Sequence, residues 1–130
     1  MLSPVIVWLR QDLRLADHPA LIAAATQGPV IFLYVLDDET PGEWKIGAAS
    51  RWWLHRSLEA LRTKVPLVLR RGAAHKVIAE VLKETGASAL HFTRDLGFLS
   101  SFIPSCIACA AKSKRSPCFL CSSRTVLRPN

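Results

Sequence analysis

Two kinds of apolar pattern alternate along the first 95 residues. Val5–Leu9 is an unbroken apolar run of β-branched and large residues, as a parallel strand covered on both faces requires. After Asp17, His18 and Pro19 comes the Ala-rich stretch "ALIAAAT". Asp17 is placed to cap a helix, with Pro19 in its first turn, and Gly28-Pro29 ends it. Val30–Leu36 is a second unbroken run and stops at Asp37, Asp38 and Glu39. Ser50 then reads as the cap of "RWWLHRSLEALRTK", where Leu54, Leu58 and Leu61 recur on one helical face. "PLVLR" predicts a third, short strand. "AAHKVIAEVLKETG" predicts a helix with Val77, Val81 and Leu82 inward and Gly86 as its stop. Ala89–Thr93 predicts a fourth strand, ending at Arg94 and Asp95.

Strand and helix thus alternate, which implies an α/β fold: a doubly wound parallel sheet with helices on both faces and right-handed crossovers. In such sheets ligands lie beyond the carboxyl ends of the strands. Arg10, Asp37, Arg70, Arg71, Arg94 and Asp95 all follow strand ends. Each is either a ligand contact or a solvated loop residue, and spacing alone leaves both readings open.

A chain of 130 residues that is 50% hydrophobic suits one domain with a real core. No apolar run approaches the ~18 residues of a membrane span. No basic region followed by a long apolar stretch marks a secretion signal, so a cytoplasmic location is expected. The net charge of +7 is unevenly spread. Residues 1–95 hold 12 basic and all ten acidic side chains, whereas residues 96–130 hold five basic and no acidic ones. The excess lies mostly in the tail, so charge supports nucleic-acid binding only weakly. Neither GxGxxG nor GxxxxGK[ST] occurs, which excludes both common phosphate loops. No Ser–His–acid or Cys–His motif is recognisable, and the lone histidines are expected at the surface or half-buried.

"VWLRQDLRLADHPAL" resembles the N-terminal signature of the DNA photolyase/cryptochrome family through Trp8, Arg10, Asp12, Leu13, Arg14, Asp17, Ala20 and Leu21. "LYVLDDE" resembles the family's second strand, "GAASRWWLHRSLEAL" its second helix, and "GASALHFTRD" its next strand and turn. These motifs stand in order across residues 4–95. The resemblance implies a Rossmann-like antenna domain, residues 1–95, with Arg10, Tyr34, Asp37 and Arg51 lining a cleft for a folate- or deazaflavin-type pigment. It implies a parent enzyme of the deoxyribodipyrimidine photo-lyase type, in which light drives electron transfer from FAD to damaged DNA. A blue-light receptor of the cryptochrome branch is the alternative. FAD and DNA would be held by a larger helical domain, the natural packing partner of this one. The chain alone, an incomplete fragment on this reading, is expected to hold no cofactor stably and to be inactive.

After Asp95 the resemblance stops. Residues 96–130 carry all four cysteines and seven serines, and read as an irregular, non-homologous tail. Cys106, Cys109, Cys118 and Cys121 form C-x2-C-x8-C-x2-C. Such pairs can give four thiolates to a tetrahedral zinc ion, although the central spacing is short. An out-of-frame chain end and a disordered tail are the other two readings. Disulfides are not expected in the cytoplasm. With the fourth helix missing, one face of the sheet, or the edge beside the fourth strand, is expected to be uncovered.

Overall fold

A computed structural model describes residues 2–39 and 41–93, and the backbone of 119–122 and 125–127. The elements are β1 (Val5–Leu9), α1 (Pro19–Ala25), β2 (Val30–Leu36), a 3-10 turn (Gly42–Trp44), α2 (Ala48–Arg62), β3 (Leu67–Arg71), α3 (Ala74–Thr85), β4 (Ala89–Phe92), β5 (Phe119–Ser122) and β6 (Thr125–Leu127). They build one sheet in the order β3-β2-β1-β4-β5-β6. Pairing is parallel from β3 through to β5, and β6 runs antiparallel to β5.

β1 is central, and all five of its residues are buried. Its side chains alternate between two cores, as the pleat dictates. Ile6 and Trp8 join Leu33, Val35, Leu90 and Phe92 beneath Val77, Ile78 and Val81 of α3. Val5, Val7 and Leu9 join Phe32, Tyr34 and Ala89 beneath Ala24 of α1 and Leu61 of α2, with Leu54 and Leu58 packed alongside. Helices therefore cover both faces, as a doubly wound sheet requires. Burying each large aliphatic side chain contributes roughly 1.5–3 kcal/mol, so β1 is where the two cores are joined.

Gly86 ends α3 with φ 62°, the left-handed conformation that favours glycine. Gly28 serves a different need: a Cβ there would lie 2.8 Å from the Ser3 carbonyl oxygen, so the α1–β2 turn closes only without a side chain.

Both expected helix caps are displaced. His18, not Asp17, caps α1, its ring nitrogen accepting from the Leu21 N–H. Asp17 instead sits at φ 50°, turning the chain so that the next side chain folds back over the helix end. α2 begins at Ala48 behind an extended Gly47, which places Ser50 inside the first turn; Ala48 and Ala49 are good helix formers and carry the helix further back. The histidines divide: His55 is exposed and His75 half-buried, as expected, but His18 and His91 are 1% and 0% exposed, because each finds a polar partner inside.

The tail is not wholly irregular. The apolar run Phe119–Ser122 lies parallel to β4, and Thr125–Leu127 pairs with it in turn. The edge of β4 expected to be bare is thus occupied by backbone.

Candidate functional site

The chain steps from β1 to β2 to β3 on one side and returns to place β4 on the other side of β1. The order of strands reverses there, and the crevice beyond the carboxyl ends of β1 and β4 is where open α/β sheets take ligands. β1 delivers Arg10 to it. The half-buried Arg10 guanidinium lies 5.1 Å from the centroid of the Trp8 ring. Trp8 is buried and meets Phe92 of β4 at 5.6 Å, tilted by 55°. A cation over an indole face is attracted to it and held in one orientation.

Asp12 fixes the loop that follows. Its Oδ1 accepts from the Arg10 N–H at 3.1 Å, and its Oδ2 lies 2.7 Å from His18 Nε2. The Thr93 hydroxyl, just past β4, also donates to it. Burial pushes the Asp12 carboxyl up, but Thr93, the Arg10 N–H and the His18 ring together outweigh that and hold it below the ordinary range. The cap assigns the tautomer of His18. Nδ1 accepts from Leu21, so the ring proton is on Nε2, facing Asp12. One carboxylate thereby ties the end of β1, the end of β4 and the start of α1 together.

At the end of β2, Asp37 is half-buried and engaged with backbone. Its Oδ2 accepts from the Ala74 N–H at 2.9 Å and its Oδ1 from the Glu39 N–H at 3.0 Å. α3 has Ala73 at its cap position and no local side-chain cap, so Asp37 caps it from 37 residues away.

Its neighbour Asp38 gathers arginines. Arg51, in the first turn of α2, reaches Oδ1 with Nη2 at 2.6 Å, and its Nε donates to the Ile46 carbonyl at 3.2 Å. Arg71, the last residue of β3, reaches Oδ2 with Nη2 at 2.8 Å and Nε at 3.0 Å.

The four residues assigned by resemblance are therefore distributed along this edge rather than gathered. Arg10 follows Trp8 on the α3 face. Tyr34, opposite Leu9 in the register, is buried in the core under α1 and α2, where burial raises its hydroxyl pKa. Asp37 braces α3, and Arg51 belongs to the Asp38 cluster. The sequence reading did not single out Asp12–His18–Thr93 or the convergence of Arg51 and Arg71 on Asp38. Asp12, Asp38 and Thr93 stand one to three residues past a strand end and Arg71 is the last residue of β3, whereas His18 and Arg51 carried no such signal.

His91 lies outside this edge. It is fully buried, 3.3 Å from the Gln27 side-chain oxygen, and burial lowers its pKa. Cys106, Cys109 and Cys118, like Arg94 and Asp95, lie outside the described residues. Of Cys121 only the backbone position, opposite His91, is described. Among the described residues no group of three or more His, Cys, Asp or Glu side chains could hold a metal ion, and no helix is long and apolar enough to cross a membrane.

Comparison with known proteins agrees with the fold. The family model for DNA photolyase matches residues 5–130, and so includes the tail. A deoxyribodipyrimidine photo-lyase of Agrobacterium fabrum is 41% identical over 98 residues, covering 71% of this chain and 20% of that protein. Cryptochrome-1 of Arabidopsis thaliana is 42% identical over 93 residues, covering 67% of this chain and 14% of that protein. Among solved structures, a bacterial class III photolyase from Agrobacterium tumefaciens superimposes with a TM-score of 0.78 at 31% identity, over 94% of this chain and 26% of that one. The chain thus spans between about a seventh and a fifth of the length of these curated relatives.

Proposed function

The chain belongs to the DNA photolyase family, and on that premise we propose that it is the antenna-pigment part of a light-driven DNA repair enzyme. The observation that carries this reading is the Arg10 guanidinium fixed over Trp8 at the reversal of strand order. A planar, anionic, folate- or deazaflavin-type pigment suits such a place. A cation braced on the buried Trp8 ring binds it, and Asp12 keeps the loop that carries the cation from moving. When bound, the pigment supplies light absorption and passes excitation on. The work of these residues is to bind it, orient it and keep water away.

In the longer relatives' architecture, FAD and a flipped-out pyrimidine dimer belong to the helical part, and damaged DNA is the partner of the whole enzyme. The reaction needs no acid–base pair from this chain. A cytoplasmic location fits that role. This 130-residue chain is expected to take pigment weakly and to retain no flavin.

The test is loading with 5,10-methenyltetrahydrofolate or a deazaflavin, read by the visible absorption that survives gel filtration. In a version extended with a family helical domain, Arg10→Ala should lower pigment content about tenfold, the worth of one charge-assisted contact, while flavin content stays the same. Unchanged pigment content removes Arg10 from the site. Intact flavin and pigment without repair of dimer-containing DNA under blue light would favour a photoreceptor over a repair enzyme.

A further inference from the structure

We propose that the outward side of α2 docks a second copy of this chain, antiparallel to itself, through Trp52, Trp53 and a reciprocal pairing of Arg56 with Glu59. Leu54, Leu58 and Leu61 pack α2 against the sheet. The opposite side of the helix carries an apolar feature that the fold does not use. Trp52 and Trp53 are 54% and 67% exposed, and adjoining exposed aromatics of this size mark an interaction surface. The rings are fixed in place. They meet edge to face at 5.3 Å and 81°, and the Arg56 guanidinium lies 5.6 Å from the Trp52 centroid. Rigid rings lose little freedom on docking, and Trp and Arg are the side chains that most often anchor interfaces.

The order of side chains along the helix is what selects a second copy. Trp52, Arg56, Glu59 and Thr63 recur at spacings of four, three and four, and all are exposed, so they form one stripe. Reversed about a point between Ser57 and Leu58, the stripe matches itself. Trp52 then meets the partner's Thr63, and Arg56 meets the partner's Glu59. A large ring faces a small side chain and a cation faces an anion, each twice over. A parallel arrangement instead sets Arg56 on Arg56 and Glu59 on Glu59, which like charges oppose. Within one copy Arg56 and Glu59 pair at 3.2 Å, with side chains 59% and 58% exposed. Such a pair is worth little in water, so exchanging it for two pairs between copies costs little. The stripe is neutral as a whole, which does not suit a nucleic-acid backbone. α2 has 15 residues, so the contact runs about 20 Å. Two half-open rings and the stems beside them offer roughly 500 Å² per copy. The pair buries about 1,000 Å², the lower limit of a specific interface, and a dimer of micromolar affinity fits that size.

The experiment is sedimentation equilibrium of the whole chain from micromolar to millimolar concentration, with urea unfolding of each variant to show that the fold is kept. A monomer–dimer equilibrium that stops at two is expected. Trp52→Ser and Trp53→Ser should each weaken it at least tenfold, as loss of an aromatic anchor does. Arg56→Glu and Glu59→Arg should each weaken it about tenfold by setting like charges opposite each other. The two changes together should restore the parent's affinity to within about twofold, because the reversed stripe again matches itself. Lys76→Glu, on the exposed side of α3, alters the net charge as Arg56→Glu does and should leave the dimer unchanged. The charge swap separates a specific dimer from mere stickiness of the two rings, which it does not rescue. A monomer at every concentration, association that runs on past two, indifference to Trp52 and Trp53, or failure of the swap would overturn the proposal. In a version extended with a family helical domain, a dimer that disappears as both rings become shielded from acrylamide quenching assigns the face to that domain and overturns the second-copy reading. A dimer that persists supports it.

Discussion

Asp12 and Asp38 look alike by exposure, with side chains 15% and 17% accessible, yet they do opposite things. Asp12 is surrounded by groups that are themselves buried or tied to the backbone: its Oδ1 accepts from the Arg10 N–H, the Thr93 side chain stands beside it, and its Oδ2 lies against the ring of His18, which is 1% exposed. Asp38 is satisfied by two arginines whose ends stand in solvent. A partner with nowhere else to go makes a carboxylate part of the frame. A partner that water can equally well solvate makes the pairing exchangeable. The burial of the partners, rather than that of the acid, separates structure from candidate function along this edge.

The largest expected effect tests the framed side. Asp12→Ala strands the Arg10 backbone N–H and takes the carboxylate away from the buried His18 ring and from Thr93, and should cost about 1–3 kcal/mol in urea unfolding. A loss no larger than that of Asp38→Ala would remove the distinction drawn here. Asp37→Ala comes next, at about 1 kcal/mol, the usual worth of a helix cap, with faster amide exchange confined to the first turn of α3. Asp38→Ala should cost less, within about 0.5 kcal/mol, as exposed ion pairs do.

Two pH effects sharpen the same comparison. The folded Asp12 carboxyl lies below its ordinary value of 3.8. Its contribution is therefore complete above that pH and is lost as the pH falls through the folded value. Asp12→Asn should remove that part of the acid limb, whereas Asp38→Asn should leave it in place. His91 is depressed by burial from 6.5, so below that pH the unfolded chain gains a proton the folded chain resists. Stability should fall as the pH drops through 6.5, and His91→Gln should flatten that slope in an equilibrium titration.

The sheet was legible because fully buried parallel strands leave unbroken apolar runs, such as Val5–Leu9 and Val30–Leu36. α3 was legible because Val77 and Val81 keep a helical period and Gly86 stops it. The caps were not legible in the same way. A histidine cap needs a particular tautomer and a positive φ at Asp17, and Asp37 caps a helix 37 residues away; neither leaves a local trace. Strand-end position pointed to one edge of the molecule, but the division of Arg10 and Tyr34 between opposite faces depends on pleat parity. The Arg51–Asp38–Arg71 convergence depends on β2 and β3 being neighbours, and that is known only once the strands are ordered. The strands at 119–122 and 125–127 were hidden because a short apolar run among serines and cysteines carries no periodicity.

The central position of β1 has a consequence for how the protein is made. β1 leaves the ribosome before both of its neighbours, β2 and β4, and Val5 pairs with both Val30 and Ala89. At about 5–20 residues per second, roughly 4–17 s pass between the synthesis of Val5 and that of Ala89. Throughout that interval one hydrogen-bonding edge of the most apolar strand in the chain stays open on the nascent polypeptide. The segment "VIVWL" is thus left half-paired on the growing chain, and slowing translation between α3 and β4 should lengthen its exposure.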